Sequence, residues 1–254
     1  MTVGWIDLEG AYNVRDLGGL AVAGGGRTRH DVLLRSDALD QLSAADVERL
    51  VDGVGLAHVV DLRSAGERHE RGRGRLGATG VRYTEVEVIG PDDLARRAEA
   101  RAAAFARAEP AARIIADGYV ELLDIGAPAF GAAFAAIAAP GGTPALVHCA
   151  IGKDRTGVLT AVLLDAAGVE RDEIVADYAL TGGRMAPIIE RWMVERTSAG
   201  MTEQLAAFTA SAAPETMEQL LDALHERWGG GAAYLEAAGQ PAGLVASWRE
   251  QLAG

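Results

Sequence analysis

Cys149, the single cysteine of the chain, stands in the run ALVHCAIGKDRTGVLTAVLL (Ala145–Leu164), with Arg155 closing a Cys-x5-Arg spacing and Gly152 and Gly157 about the turn. A thiolate is a strong nucleophile, and a guanidinium grips two oxygens of one anion at once. The pattern predicts a short strand, Ala145–His148, then a tight loop, then a helix from about Thr156. Such a loop aims several backbone N–H groups and the positive end of the helix dipole at one point. The same donors, with Arg155, favour the thiolate over the thiol. A nucleophile inside an anion cradle suits a phosphate monoester. The amides of Ala150, Ile151, Gly152, Lys153, Asp154 and Arg155, with the Arg155 fork, would hold the non-bridging oxygens. Thr156 either steadies the thiolate or simply starts the helix, and His148 is expected to lock the loop by hydrogen bonding.

A leaving oxygen also needs a proton, and two aspartates compete to supply it. Asp61 ends the apolar run HVVDL. In a parallel sheet the carboxyl ends of strands share the edge where ligands bind, which brings Asp61 and the Cys149 loop together. The competing reading of Asp61 is an ion pair with Arg63. Asp154 lies inside the loop as acid, water-positioning group or structural acceptor. Asp61 is narrowly favoured as the acid, and Asp154 belongs to the site under either assignment.

HCAIGKDRTG resembles the Cys-x5-Arg phosphate loop of protein tyrosine phosphatases. Its Gly-Lys-Asp-Arg-Thr wording is similar to the atypical bacterial branch related to the secreted mycobacterial and listerial enzymes. NVRDLGG (Asn13–Gly19), LLRSDAL (Leu33–Leu39) and VVDLRSAGE (Val59–Glu67) precede the loop in the same order, and PETMEQLLDAL…YLEAAG follows it, so the resemblance spans nearly the whole chain. No Trp-Pro-Asp stretch is present, which leaves the acid open. The resemblance implies a tyrosine-phosphatase-like α/β sandwich. It also implies a phosphomonoester hydrolase working through a phosphocysteine, without metal or cofactor. Within it, Asp154 corresponds to an extra acidic residue of the bacterial branch, and Lys153 is associated with accepting phosphoinositides as well as phosphoamino acids. A phosphorylated protein, lipid or small metabolite is therefore the expected partner. A non-catalytic phosphate-binding module and a rhodanese-like sulfur transferase are the weaker alternatives. Arg15, Asp16, Arg35 and Ser36 are read as framing the pocket or, preferably, as structural support.

Strands alternating with helices predict a mostly parallel sheet covered on both faces, with a helical C-terminal layer, in one domain over residues 1–254. A glycine-rich hairpin is expected at Ala23–Arg27, a helix over Ala44–Asp52 capped by Ser43, and buried strands at His58–Leu62 and Val81–Val88. Pro91–Arg113 reads as a charged helical insertion with Leu94, Ala98, Ala102 and Phe105 on one stripe. It is either a solvated surface helix or a lid over the site. Helices are also expected at Ile125–Pro140, Arg171–Leu180, Arg184–Thr197 and Pro214–Trp228.

Composition bounds the rest. The 254 residues are 49 % hydrophobic and 24 % charged, as in ordinary globular chains. The net charge of −12 opposes general binding to nucleic acid or an anionic membrane surface, so an anionic substrate must be drawn in by local positive charge. No intramolecular disulfide is available, and MTVGWIDLEG carries neither a basic region nor a long apolar stretch. A reducing, cytoplasmic setting without stable membrane association is expected. Oligomeric state leaves no mark on the sequence.

Overall fold

The computed structural model describes residues 4–195 and 203–253. Its six-stranded mixed sheet is formed by β1 (Gly4–Trp5), β2 (Arg15–Asp16), β3 (Leu33–Ser36), β4 (His58–Asp61), β5 (Arg82–Glu85) and β6 (Ala145–His148), in the order β1-β2-β3-β6-β4-β5. The pairs β3–β6, β6–β4 and β4–β5 are parallel, and the two short N-terminal strands add antiparallel. Side chains alternate across the sheet with the period of the pleat. Leu33, Val60 and Val147 enter one core, whereas Leu34, Val59 and Leu146 enter the other. Burial on both faces explains why β4 and β6 read as continuous apolar runs.

The helices in chain order are α1 (Ala44–Glu48), α2 (Ala65–Arg71), α3 (Pro91–Ala106), α4 (Ala111–Ile125), α5 (Ala127–Ala138), α6 (Asp154–Ala166), α7 (Arg171–Leu180), α8 (Met185–Glu195), α9 (Glu203–Ala210), α10 (Pro214–Trp228), α11 (Gly231–Ala237) and α12 (Ala242–Ala253). Helix α6 is the hub. Its residues from Thr156 to Leu164 are all buried, and it packs against β3, β6, α4, α7, α11 and α12. The alanine- and glycine-rich composition permits this close packing. The bent pair α4–α5 meets at 74°, and no single helix among the described residues is long and apolar enough to cross a membrane.

Local expectations meet the structure unevenly. Ser43 caps α1 through a capping box with Asp46, and the following residues Arg49–Gly53 widen into a π turn. Three consecutive glycines, Gly24, Gly25 and Gly26, take positive φ at the turn that joins Ala21 to Arg27. Arg171–Leu180 and Pro214–Trp228 are helices as read, whereas the expected end of α8 at Thr197 lies outside the described residues. The strand expected over Val81–Val88 is shorter and not fully buried. Among the described residues β5 pairs only with β4, so it is a half-exposed edge. The insertion at 91–113 is two helices, because Pro110 stands at the N-cap of α4 and ends the continuous pattern.

Candidate active site

The register brings three strand ends level, since Ser36 and Asp61 both pair with His148. The loops that leave β3, β4 and β6 therefore share one edge, as expected of ligand sites in parallel sheets. The loop after β6 starts with Cys149, which is 1 % exposed, and runs into α6 at Asp154, two residues earlier than the sequence suggests. Among the described residues, the amides of residues 150–153 donate to no protein group, which leaves them for an anion.

The loop is fixed from behind. Gly152 has φ +68°, and a Cβ there would lie 2.5 Å from the Ser36 carbonyl oxygen and 2.6 Å from the Asp37 amide nitrogen, so only glycine fits. The Gly152 carbonyl accepts from Asn13 Nδ2 (3.1 Å) and Arg35 Nη2 (2.8 Å). Arg35 and Arg15 in turn bind opposite oxygens of Asp177, each at 2.7 Å, and all three side chains are buried. Burial opposes ionisation of Asp177, and the two guanidiniums outweigh it and lower its pKa. Arg15 and Arg35 are thus support for the loop, joined by Asn13 and Asp177. Asp16 instead turns outward to His30 and the Gly18 amide. Asp37, buried beside Ser36, accepts from the Tyr12 and Asn13 amides.

Arg155 is aimed by Glu67, a residue whose part in the site sequence reasoning missed. Its Nη1 and Nη2 donate to the two Glu67 carboxylate oxygens at 2.6 and 2.8 Å, and Nη1 also reaches the Leu62 carbonyl at 3.2 Å. A guanidinium has five N–H donors. Nε–H and the second Nη2–H, neighbours on one edge of the plane, stay available for two phosphate oxygens. Burial raises the Glu67 pKa, but the Arg155 bonds and charge and the Ser64 amide outweigh it and hold the carboxyl at about 2. The local signal was Ser64-x-x-Glu67, the capping box of α2, which holds Glu67 in place.

Asp61 is where the structure departs most from the sequence reading. Its side chain is wholly buried and accepts from the Arg63 amide, Nε and Nη2 at 2.7–3.1 Å. Burial would raise its pKa, but His148 and the Arg63 guanidinium outweigh burial and bring it to about 2. Such a carboxylate neither holds a proton for a leaving group nor faces the cavity. The ion pair with Arg63, weighed as the alternative, is the one observed. His148 is also buried, with Nδ1 3.2 Å from the Cys149 carbonyl oxygen and Nε2 3.7 Å from Asp61. Burial lowers its pKa and outweighs the Asp61 carboxylate, which raises it. The Thr156 hydroxyl is buried and has no hydrogen-bond partner among the described residues.

In front of the loop is a cavity of about 730 Å³. Ala150, Ile151, Lys153, Asp154 and Arg155 line its floor, and α3, α4 and α9 its walls. Phe105 of α3 and Phe208 of α9 meet edge to face with ring centroids 5.0 Å apart. The helical insertion therefore forms part of the wall of the site. Lys153 does not extend into this space as a second phosphate-binding charge. Its Nζ donates to the carbonyls of Thr209 (2.8 Å) and Ser211 (3.1 Å), so it ties the C-terminal end of α9 to the loop. Asp154 is different, because its side chain is 38 % exposed and Oδ1 accepts from the Tyr119 hydroxyl at 2.8 Å.

Comparison with known proteins identifies the family. The model of the tyrosine phosphatase family matches residues 6–254. The chain is 32 % identical to a tyrosine-protein phosphatase of Cupriavidus necator over 85 % of this chain and 77 % of that one. It is 28 % identical to the triple specificity protein phosphatase PtpB of Mycobacterium tuberculosis over 80 % and 79 % of the two chains. Among solved structures, the catalytic core of the Saccharomyces cerevisiae PP-IP phosphatase SIW14 matches at 18 % identity and a TM-score of 0.37, over 72 % of this chain and 91 % of that one. The family match over residues 6–254, in a chain that carries the Cys-x5-Arg loop, makes this protein a member of the tyrosine phosphatase family.

Proposed function

We propose that Cys149, Arg155 and Asp154 hydrolyse phosphomonoesters, with Asp154 rather than Asp61 as the acid. The observation that carries this is the state of the carboxylates around the cavity. Glu67 is bound to Arg155, Asp117 to Arg113, Glu121 to Arg96 and Arg97, and Glu109 to Arg107. Asp154 is the lining carboxylate that no arginine holds, among the described residues.

The enzyme is a cysteine-dependent phosphatase, and its chemistry runs in two steps. The Cys149 thiolate attacks phosphorus, the ester P–O bond breaks, and the leaving oxygen takes the proton of Asp154. The Asp154 carboxylate then takes a proton from water as that water attacks the phosphocysteine. The S–P bond breaks, which releases inorganic phosphate and restores the thiolate. The loop amides and the free edge of Arg155 hold the three equatorial oxygens throughout.

Phosphotyrosine is the substrate we favour. The cavity combines the loop with apolar side chains, Ile89, Leu94, Ile115, Leu205 and Phe208, and so suits an aryl phosphate. Its volume also admits larger phosphorylated groups, and the mycobacterial relative, named for triple specificity, supports a range beyond phosphotyrosine. Because Lys153 is engaged with α9, phosphoinositide turnover would rest on the cavity rather than on that lysine. Helices α3 and α9 act as a cover for the site, and a reducing cytoplasm keeps the thiol competent.

Turnover of para-nitrophenyl phosphate by Cys149→Ser should be abolished, and Arg155→Lys should lose nearly as much as Arg155→Ala, since an ammonium lacks the fork. Asp154→Asn should lose rate mainly on esters with poor leaving groups, whereas Asp61→Asn should lower Tm. Retention of full rate on a poor leaving group by Asp154→Asn would overturn the assignment. Initial rates on phosphotyrosine and phosphoserine peptides, phosphoinositides and nucleotides rank the substrates.

A further inference from the structure

Two buried tyrosines stand behind Asp154 and have no part in the chemistry so far. The Tyr119 hydroxyl of α4 donates to Asp154 Oδ1 at 2.8 Å and lies 2.9 Å from the Tyr178 hydroxyl of α7. Because Tyr119 spends its proton on the carboxylate, Tyr178 must be the donor in the second bond. The rings meet edge to face, with centroids 6.0 Å apart. Both are 1 % exposed. Gly157, in the first turn of α6, makes room for the pair, since a Cβ there would lie 3.3 Å from the Tyr178 ring. Burial pushes both phenols well above their ordinary pKa, so they stay protonated donors.

We infer that Tyr119, backed by Tyr178, is a positioning residue that assigns the transferable proton of Asp154 to Oδ2. Oδ1 receives the Tyr119 hydroxyl, and the Lys153 ammonium stands 3.6 Å from the same oxygen. A carboxyl oxygen that already accepts a short hydrogen bond beside a cation is the poorer site for a proton. Oδ2 has no hydrogen-bond partner among the described residues, on a side chain that lines the cavity. The proton is thereby kept on the oxygen free to meet a leaving group. The hydrogen-bonded pair also stabilises the carboxylate left after transfer, which is the base of the second step. Tyr178 strengthens the first bond by polarising it. The charged and titratable groups that face Asp154 are Arg97 of α3, Tyr119 of α4, Tyr178 of α7, and Lys153 and Arg155 beside it.

This inference rests on Asp154 being the acid, and the experiment separates the two. The variants are Tyr119→Phe, Tyr178→Phe and Asp154→Asn. For each, kcat/KM is measured against pH on para-nitrophenyl phosphate, whose phenolate leaves easily, and on phenyl phosphate, whose phenolate needs the proton. Tyr119→Phe is expected to lose roughly ten-fold on phenyl phosphate, about the worth of one hydrogen bond to a charged group, and much less on para-nitrophenyl phosphate. The basic limb of its profile should move to higher pH, because a lost donor disfavours the carboxylate. Tyr178→Phe keeps the Tyr119 bond and should shift both measures in the same direction by less, which gives a second reading if Tyr119→Phe folds poorly. An equal loss on both esters with no movement of the limb would mark the tyrosines as packing only and overturn the inference. If Asp154→Asn discriminates between the esters and Tyr119→Phe does not, the positioning role alone fails. If Asp154→Asn does not discriminate, the acid assignment fails and takes the inference with it.

Discussion

The back and the front of the phosphate loop are built on opposite principles. Behind it, Asp177 lies between Arg15 and Arg35 with side-chain exposures of 5 %, 1 % and 1 %, and Arg35 reaches on to the loop carbonyl of Gly152. In front, α3 is held to α4 by Arg96 and Arg97 on Glu121, with Arg96 56 % exposed. Charges in a dry interior cannot exchange their partners for water, so the back has one arrangement. The Arg96–Glu121 pair faces solvent and gives up little when it parts, whereas Arg97 is half-buried and also donates to the Gly118 carbonyl. A catalytic cradle needs the first property, and a solvated pair such as Arg96–Glu121 suits the cover proposed for α3.

The contrast is most directly broken at Asp177. Asp177→Asn leaves two buried guanidiniums short of their counter-charge and should cost about 3–5 kcal/mol, read as a lower midpoint in urea. An unchanged midpoint would mean that the back is not held by charge. Gly152→Ala comes next. It places a methyl against the Ser36 backbone at positive φ, and should cost about 1–3 kcal/mol of strain and most of the phosphatase rate. Vanadate affinity measured beside Tm separates a displaced cradle from a merely less stable one.

Acid titration sharpens the comparison further. Asp61 and Glu67 have folded-state pKa values of about 2, below their ordinary 3.8 and 4.5. A depressed carboxylate contributes its full stability above its unfolded pKa and loses it as the pH falls toward the folded one. The share of stability these two carboxylates contribute should therefore hold above about pH 4.5 and be lost between there and pH 2, read as a flatter fall of Tm over that window in Asp61→Asn and Glu67→Gln. Glu67→Gln should in addition lose up to about 100-fold in kcat/KM at neutral pH, because Arg155 is no longer aimed. At the front, Arg96→Ala should leave Tm within the scatter of replicate melts. A large drop there would show that α3 is clamped rather than resting.

Much of the site was legible because its chemistry is local in the chain. Cys149, Arg155, Gly152 and the loop amides lie within seven residues, and a strand, a tight turn and a helix are each written in short-range pattern. Ser43 and Pro214 announced helix starts for the same reason. What misled was distance in sequence. Asp61 ends its strand at the catalytic edge as expected, but which neighbour a carboxylate turns to depends on side-chain packing, and Arg63 is near enough to take it. Lys153 could not be assigned a partner before α9 was placed, 56 residues further on, at Thr209. The insertion at 91–113 read equally as a surface helix or a cover, since its weak stripe does not say which neighbour it meets.

By itself, the sequence determined a thiol nucleophile, a guanidinium fork and a glycine turn in one loop between a buried strand and a buried helix. It determined these because backbone conformation and covalent spacing act over a few residues. Only the placement of separate elements shows which of the lining carboxylates are bound to arginine, that Glu67 holds Arg155, and that Tyr119 and Tyr178 stand behind Asp154. Those pairings cross 35 to 88 positions of chain and exist only where separate elements bury polar groups that must find partners away from water.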